Sequence, residues 1–357
     1  AADPTAYEET RPSGVEAEAD ALVASLLAAP GGQVSPSVYE TGRVVALAPW
    51  LRGHAARVRY LLAAQRPDGG WGGPEGDALV PTLSAVDALL ATVARGELPA
   101  EQARLHRAAA QGLRRLRRWL AEYRAADLPD MPAIELIVPA LVGSLNRRLR
   151  AGLPLPAGMT ERPLRMLRSW LASDAEVPEK LLHALEVAGE AAGRARGVRP
   201  TPLGTVGASP AATAAWLHGR EGRDGRDAPA RHHLEEVAER HGGPVPVGYP
   251  ITVFERGWTL SWLLRAGVPL DVPARLPAEL RAALGPAGAP GGEGLPADAD
   301  STSVALYTLL RLGEPVSPDC LAAFDAGTHF CTWQGEQGFS VSVNAHVLDA
   351  LGEYLRV

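Results

Sequence analysis

Two carboxylates, Asp298 and Asp300, stand two residues apart and, with Ser301 and Thr302, directly precede an apolar run at 303–312. A carboxylic acid at the head of a buried helix can be held protonated by apolar surroundings and put to acid chemistry. Acidic and hydroxyl residues at the same place also cap the free N–H groups of a helix start. The pentapeptide by itself admits both readings, and the choice rests on what surrounds it.

The chain has 357 residues, 46% of them hydrophobic, and its net charge of -6 is spread without long like-charge runs. That allows one large or two medium domains and argues against a nucleic-acid surface. Two cysteines, Cys320 and Cys331, are too few for a disulfide framework or a four-cysteine zinc site, so no zinc is expected and the reducing cytoplasm is the natural compartment. Arg, Glu or Gly interrupts the apolar stretches within about a dozen residues. The chain opens Ala1-Ala2-Asp3-Pro4, without a basic-then-apolar leader. A soluble protein that does not span a membrane is the expectation.

Apolar residues recur at three- and four-residue spacing over 17–29, 54–65, 81–95, 101–125, 133–149, 161–172, 178–194, 210–219, 251–266, 301–312, 317–325 and 341–355, as in Leu113, Leu116, Trp119 and Leu120. Period-two alternation bounded by hairpin dipeptides is almost absent, and most of the 38 glycines and 31 prolines fall between the periodic runs. The fold class is therefore all-α. Stretches 1–15, 194–209, 219–232 and 285–296 read as flexible, the last leading into the Asp pair.

Separated motifs then point one way. Gln65-Arg66-Pro67-Asp68-Gly69-Gly70-Trp71-Gly72 makes a tight glycine turn in which Gln and Trp can bond and stack across a helix junction. Further segments are Ser35-Pro36-Ser37-Val38-Tyr39-Glu40-Thr41, Asp130-Met131-Pro132-Ala133-Ile134-Glu135, Leu181-Leu182-His183-Ala184-Leu185-Glu186, Ser209-Pro210-Ala211-Ala212-Thr213-Ala214, the Asp298 pentapeptide, and Ser340-Val341-Ser342-Val343-Asn344-Ala345-His346. In this order over 35–350 they resemble the bacterial class II terpene cyclases of the copalyl diphosphate synthase type. The resemblance implies two α/α-barrel domains: 1–34 packing on the β domain, 35–255 as a γ-like domain, and 256–357 as a β-like domain, incomplete relative to the family, that carries the Asp pair.

It also implies the chemistry. Such an enzyme protonates the terminal alkene of a polyprenyl diphosphate, lets the double bonds attack one another, and ends by deprotonation with the diphosphate retained. An alkene is a very poor base, so the donor has to be a carboxylic acid kept protonated. By resemblance Asp300 is that acid, Asp298 shares its network, and Asn344 orients it. Ser301 replaces the family's third carboxylate, a changed acid environment in which a hydroxyl can still donate or accept. His183 falls at the histidine of a terminating base dyad whose asparagine is here Val247, so the product's stereochemistry does not carry over. Asp130 and Glu135 match an Asp-x4-Glu pattern for Mg2+, whose hard, hydrated character suits oxygen ligands, although Asp130 could equally cap the helix start at Pro132. Arg165 and Arg168 fall near phosphate-facing lysines of relatives, and Trp258, Tyr249 and Trp333, with Trp216 and Trp262, fall where aromatic faces could stabilise passing carbocations or simply pack the core.

The implied substrate is geranylgeranyl diphosphate, giving a bicyclic copalyl-type diphosphate. Farnesyl diphosphate with a drimane-type product stays open, as does a catalytically degenerate, cyclase-like binding protein, for which Ser301 and Val247 speak. The family's β domain continues past the Asn344 helix, so a lone monomer ending at Val357 is expected to have weak activity or none, unless another copy of the chain covers the exposed face. A glycoside hydrolase or a protein prenyltransferase subunit would share the helices and turns, but the latter needs zinc ligands that the chain lacks.

Overall fold

A computed structural model describes residues 14–357 except 74, 130, 151, 174–175 and 221–226. Its helices are α1 (Gly14–Ala28), α2 (Val38–Leu47), α3 (His54–Ala63), α4 (Leu79–Ala94), α5 (Gln102–Glu122), α6 (Ile134–Leu149), α7 (Arg162–Ala172), α8 (Glu179–Leu182), α9 (Glu190–Arg194), α10 (Pro210–Leu217), α11 (Ala228–Arg240), α12 (Thr252–Arg265), α13 (Arg275–Ala283), α14 (Ala299–Arg311) and α15 (Val341–Tyr354). Most follow the apolar periodicity to within a few residues.

Where they do not, a physical reason is visible. The run 178–194, expected as one helix, is α8, a 3-10 turn at Leu185–Ala188 and α9, broken at Gly189 with φ +61°. The run 317–325 winds as a 3-10 helix, Pro318–Phe324. Helix α2 escapes the pattern because Glu40, Thr41 and Arg43 are all buried, so it has no polar face for periodicity to detect. Helices α11 and α13 carry Pro229 and Pro277 in their first turns, where proline is tolerated although it reads as a break. The stretch 285–296, expected to be a flexible lead, contains strand β1 (Ala289–Pro290), paired antiparallel with β2 (Ala297–Asp298). Gly288 sits at φ +97°, and a Cβ there would strike the Thr302 hydroxyl.

The chain divides into two compact units. Among the described residues the first comprises 14–33, 250–292 and 296–357, and the second those of 34–249 with 293–295. Residues 250–255, expected in the γ-like domain, belong to the first unit because α12 starts at Thr252 and packs with α1: Val23 and Leu26 meet Val253 and Leu260. In the same unit α14 and α15 share a core of Leu306, Tyr307, Phe324, Val343 and Val347.

The second unit is built around α2, α4 and α6. Its Gln-Trp turn is a structural clasp: Gln65 donates to the carbonyls of Gly69 and Ala108, both at 3.0 Å, and the fully buried Trp71 indole donates to the Leu61 carbonyl at 2.6 Å. Three distant motif segments also meet in its interior. Tyr39 donates to Glu186, while the Ser209 hydroxyl and the Ala211 amide, the latter at 2.7 Å, donate to Glu40. Burial raises both glutamates, Glu186 to about 7.

Two glycines make this packing testable. Gly207 has φ +60°, and a Cβ there would run into the backbone of Leu182 and His183, whereas Gly352 lies within α15 with open space around it. Gly207→Ala is expected to destabilise the protein by at least about 2 kcal/mol. Gly352→Ala is expected to be neutral or to stabilise it by about 0.5–1 kcal/mol. Urea unfolding of both variants checks the pair.

Candidate active site

The first turn of α14 is pinned from several directions. Asp298 ends β2 in extended backbone (φ -133°, ψ 153°) and turns the chain into the helix, its carboxylate accepting from the Ser301 amide at 2.6 Å. The Thr302 hydroxyl donates to the Asp298 carbonyl at 2.6 Å and accepts from the Ala289 amide at 2.8 Å. Ala299 donates to the Thr332 carbonyl at 2.9 Å. Asp298 is thus both the helix cap and a member of the acidic pair, so the two sequence readings are compatible. Burial holds its carboxyl up at about 6, although the amide and hydroxyl of Ser301 pull the other way. The serine in place of a third carboxylate therefore lends its hydroxyl to Asp298.

Asp300 lies one step into the helix, and its Oδ1 is 2.6 Å from Nδ1 of His346 on α15. The two side chains keep 27% and 19% of their surface exposed. The His346 ring stands edge-on to Trp258 of α12, with centroids 4.6 Å apart and planes at 88°. Trp258 is thus brought to the dyad, with Phe254 tilted against its far neighbourhood at 5.6 Å. Trp333 forms an antiparallel bridge with Asp298.

Asn344 does not orient the acid. Its Oδ1 accepts from the Phe330 amide at 2.9 Å, and its Nδ2 donates to the carbonyls of Phe330, at 2.9 Å, and Ser340, at 2.8 Å. Two residues on a helix differ by about 200° in direction, so Asn344 and His346 cannot face the same neighbour. Asn344 closes the loop before α15, and His346 meets Asp300. The histidine stood in the quoted motif, but nothing in a single sequence tells which helix face meets α14.

His346 also lines a cavity of about 140 Å³ with Trp258, Trp262, Arg265, Ser303 and Tyr307. Pockets that enclose drug-sized ligands run roughly 300–1,000 Å³, so this cavity alone does not hold a polyprenyl chain or choose its length.

The remaining candidates belong to the second unit. His183 Nδ1 donates to the Gly207 carbonyl at 2.6 Å, which leaves Nε2 as the acceptor, and burial pushes the imidazole below its ordinary value. Tyr249, expected along a substrate cavity, is buried beside His233, with the Arg240 guanidinium 4.7 Å from its ring centroid. Arg165 is exposed and pairs with Glu161 one turn earlier on the surface at 3.5 Å, while Arg168 donates to the Val187 carbonyl at 3.2 Å. Glu135 is exposed in the first turn of α6, and Asp130 lies outside the described residues. Among the described residues no three His, Cys, Asp or Glu side chains converge to hold a metal ion. No helix among them is long and apolar enough to cross a membrane.

Known proteins resemble this arrangement along nearly the whole chain. It is 42% identical over 348 residues to an ent-copalyl diphosphate synthase of Streptomyces sp. (strain KO-3988), covering 96% of this chain and 66% of the relative. It is 39% identical over 374 residues to a labda-7,13-dienyl diphosphate synthase of Streptomyces clavuligerus, covering 97% of this chain and 67% of the relative. The solved ent-copalyl diphosphate synthase of Streptomyces platensis superposes with a TM-score of 0.86 at 39% identity, covering 96% of this chain and 70% of that one. The chain spans about two thirds of the length of these curated relatives. No protein-family model matches it.

The raised Asp298 carboxyl has a measurable consequence. An unfolded aspartate titrates near about 3.9, whereas folded Asp298 titrates at about 6. The folded state holds this proton more tightly, so the stability it contributes is complete below about pH 4 and is lost as pH rises through 6. Asp298→Asn keeps a capping oxygen and should flatten that window by about 1–3 kcal/mol. Urea unfolding of both proteins across this range reads the difference, and equal pH slopes would count against a proton on Asp298.

Proposed function

The chain belongs to the class II diterpene cyclases of the bacterial copalyl diphosphate synthase group, and from that premise we propose that it cyclises geranylgeranyl diphosphate to a bicyclic copalyl-type diphosphate. The observation that carries the reading is the Asp300–His346 contact at 2.6 Å in the first turn of α14. The Nδ1 contact engages Oδ1, so Oδ2 of Asp300 is the oxygen from which the proton would be delivered.

The proton passes from Oδ2 to the terminal alkene, leaving Asp300 as a carboxylate that His346 stabilises by the same hydrogen bond. The cation is consumed by attack of the next double bonds and ends by loss of a proton, so the reaction is an isomerisation with the diphosphate kept. Trp258, packed on His346, holds the imidazole in place and offers a π face; cation–π attraction contributes about 0.5–2 kcal/mol. The described carboxylates do not by themselves assemble a magnesium site. Glu135 and Asp130 are the residues the sequence offers to hold it. The free thiols of Cys320 and Cys331 and the lack of a spanning helix among the described residues are consistent with work in the cytoplasm.

Incubation with geranylgeranyl or farnesyl diphosphate and Mg2+, phosphatase treatment and mass spectrometry tests the proposal. A bicyclic C20 alcohol is expected, with a loss of about 10³-fold or more in Asp300→Ala and about 10–100-fold in His346→Ala. Melting temperatures should show that both variants fold. Undiminished product from the Asp300→Ala protein would overturn the acid assignment, and a C15 product alone would move the substrate to farnesyl diphosphate.

A further inference from the structure

Helix α5 carries six arginines and one glutamate, Glu122, a net charge of +5 in a chain whose total is -6. Its inner stripe, Leu105, Ala108, Gly112, Leu116 and Leu120, is buried, which fixes the side that faces away. Arg104, Arg107, Arg114, Arg117 and Arg118 are all exposed. At about 100° per residue, Arg104, Arg107, Arg114 and Arg118 fall within roughly 80° of arc and extend over about 21 Å.

On α7, α9 and α13 an exposed arginine is answered one turn away: Arg165 by Glu161, Arg194 by Glu190 and Arg275 by Glu279. On α5, Glu122 answers Arg118 at 2.9 Å. Arg104, Arg107, Arg114 and Arg117 have no hydrogen-bond or ion-pair partner among the described residues. The carboxylates next to the row are already taken: Glu101 accepts from Arg59 at 2.9 Å, and Asp68 from Arg66 at 2.8 Å and from Arg115 at 2.7 Å. Like charges three and four residues apart, as in Arg114, Arg117 and Arg118, repel and weaken a helix. The row therefore gains from an anionic surface outside the fold.

We propose that the outer face of α5 docks the chain peripherally on an anionic phospholipid surface. Between the arginines this face carries the exposed Ala103, Ala110, Gln111 and Ala121, none of them aromatic or large and apolar. A protein partner is anchored by large side chains seated in pockets, and single-stranded nucleic acid by aromatic rings on which bases stack. A sheet of headgroups needs neither. It answers a straight row of guanidiniums by charge alone, each arginine near the surface raising affinity about fivefold. Without large apolar side chains the helix rests at headgroup level and does not enter the acyl region. The choice of a bilayer rests in part on the cyclase reading above, since a polyprenyl diphosphate is an amphiphile that collects at the same surface.

Flotation of the full chain with vesicles is the test, using phosphatidylcholine alone and phosphatidylcholine mixed with phosphatidylglycerol in equal parts, without any prenyl diphosphate. Binding to the mixed vesicles at low salt is expected, lost when salt is raised to about 0.5 M and weakened about tenfold or more in Arg107→Gln/Arg114→Gln. Arg194→Gln/Arg199→Gln makes the same charge change off α5 and should bind within about twofold of the parent. Both pairs are exposed, so both variants should keep the parent's melting temperature. No binding to the mixed vesicles, equal binding to phosphatidylcholine alone, or parent-like binding by the α5 variant would overturn the proposal. Tighter binding of duplex DNA than of mixed vesicles through the same two arginines would also overturn it and give the row to nucleic-acid phosphates. Flotation is read without turnover, so its failure leaves the cyclisation standing, and a failure of the cyclisation leaves the docking standing.

Discussion

The hydrogen bond between Asp300 and His346 can exist only because the first turn of α14 is immobilised before the acid is reached. Asp298 supplies the cap, Thr302 ties the turn to β1, and Ala299 ties it to the segment before α15. The first and last of these bonds satisfy the Ser301 and Ala299 amides, which the helix start would otherwise leave unpaired, and the second satisfies the Ala289 amide of β1. The same residues that begin the helix therefore set the direction of the acid. An aspartate two residues from a cap points away from it, and α15 is what stands there.

Burial separates the carboxyl groups of the chain into two kinds. Asp87, surrounded by Arg43 and Arg148, is held below the ordinary carboxylate range despite its burial. Asp298, Glu40 and Glu186 have amides and hydroxyls as their nearest partners, and burial raises all three. Dipoles cannot offset the loss of water around a charge as a guanidinium can. The same side chains thus hold their protons to higher pH where no guanidinium bonds them.

Much of the fold was legible in periodicity, since long helices such as α4, α5 and α6 bury one broad apolar stripe. The misses share a cause. Helix α2 buries its charges, α11 and α13 begin with prolines, and 285–296 is ordered by Thr302 and by β2 rather than by its own composition. In each case a partner distant in sequence supplies what the local pattern lacks. The motif order points to the acidic pair and to Asn344, whereas packing turns His346 of α15, not Asn344, toward Asp300.

Sequence alone determined the helical class, the chemical types available at Asp298, Asp300 and His183, and the family to which their order belongs, because periodicity and residue identity are written along the chain. Tertiary structure decided which groups pair: His346 with Asp300, Asn344 with backbone, Glu186 with Tyr39, and Arg168 beside Arg147. Pairing depends on which faces of separate helices meet at hydrogen-bond distance, and a rotation of one residue, about 100° on a helix, exchanges one partner for another.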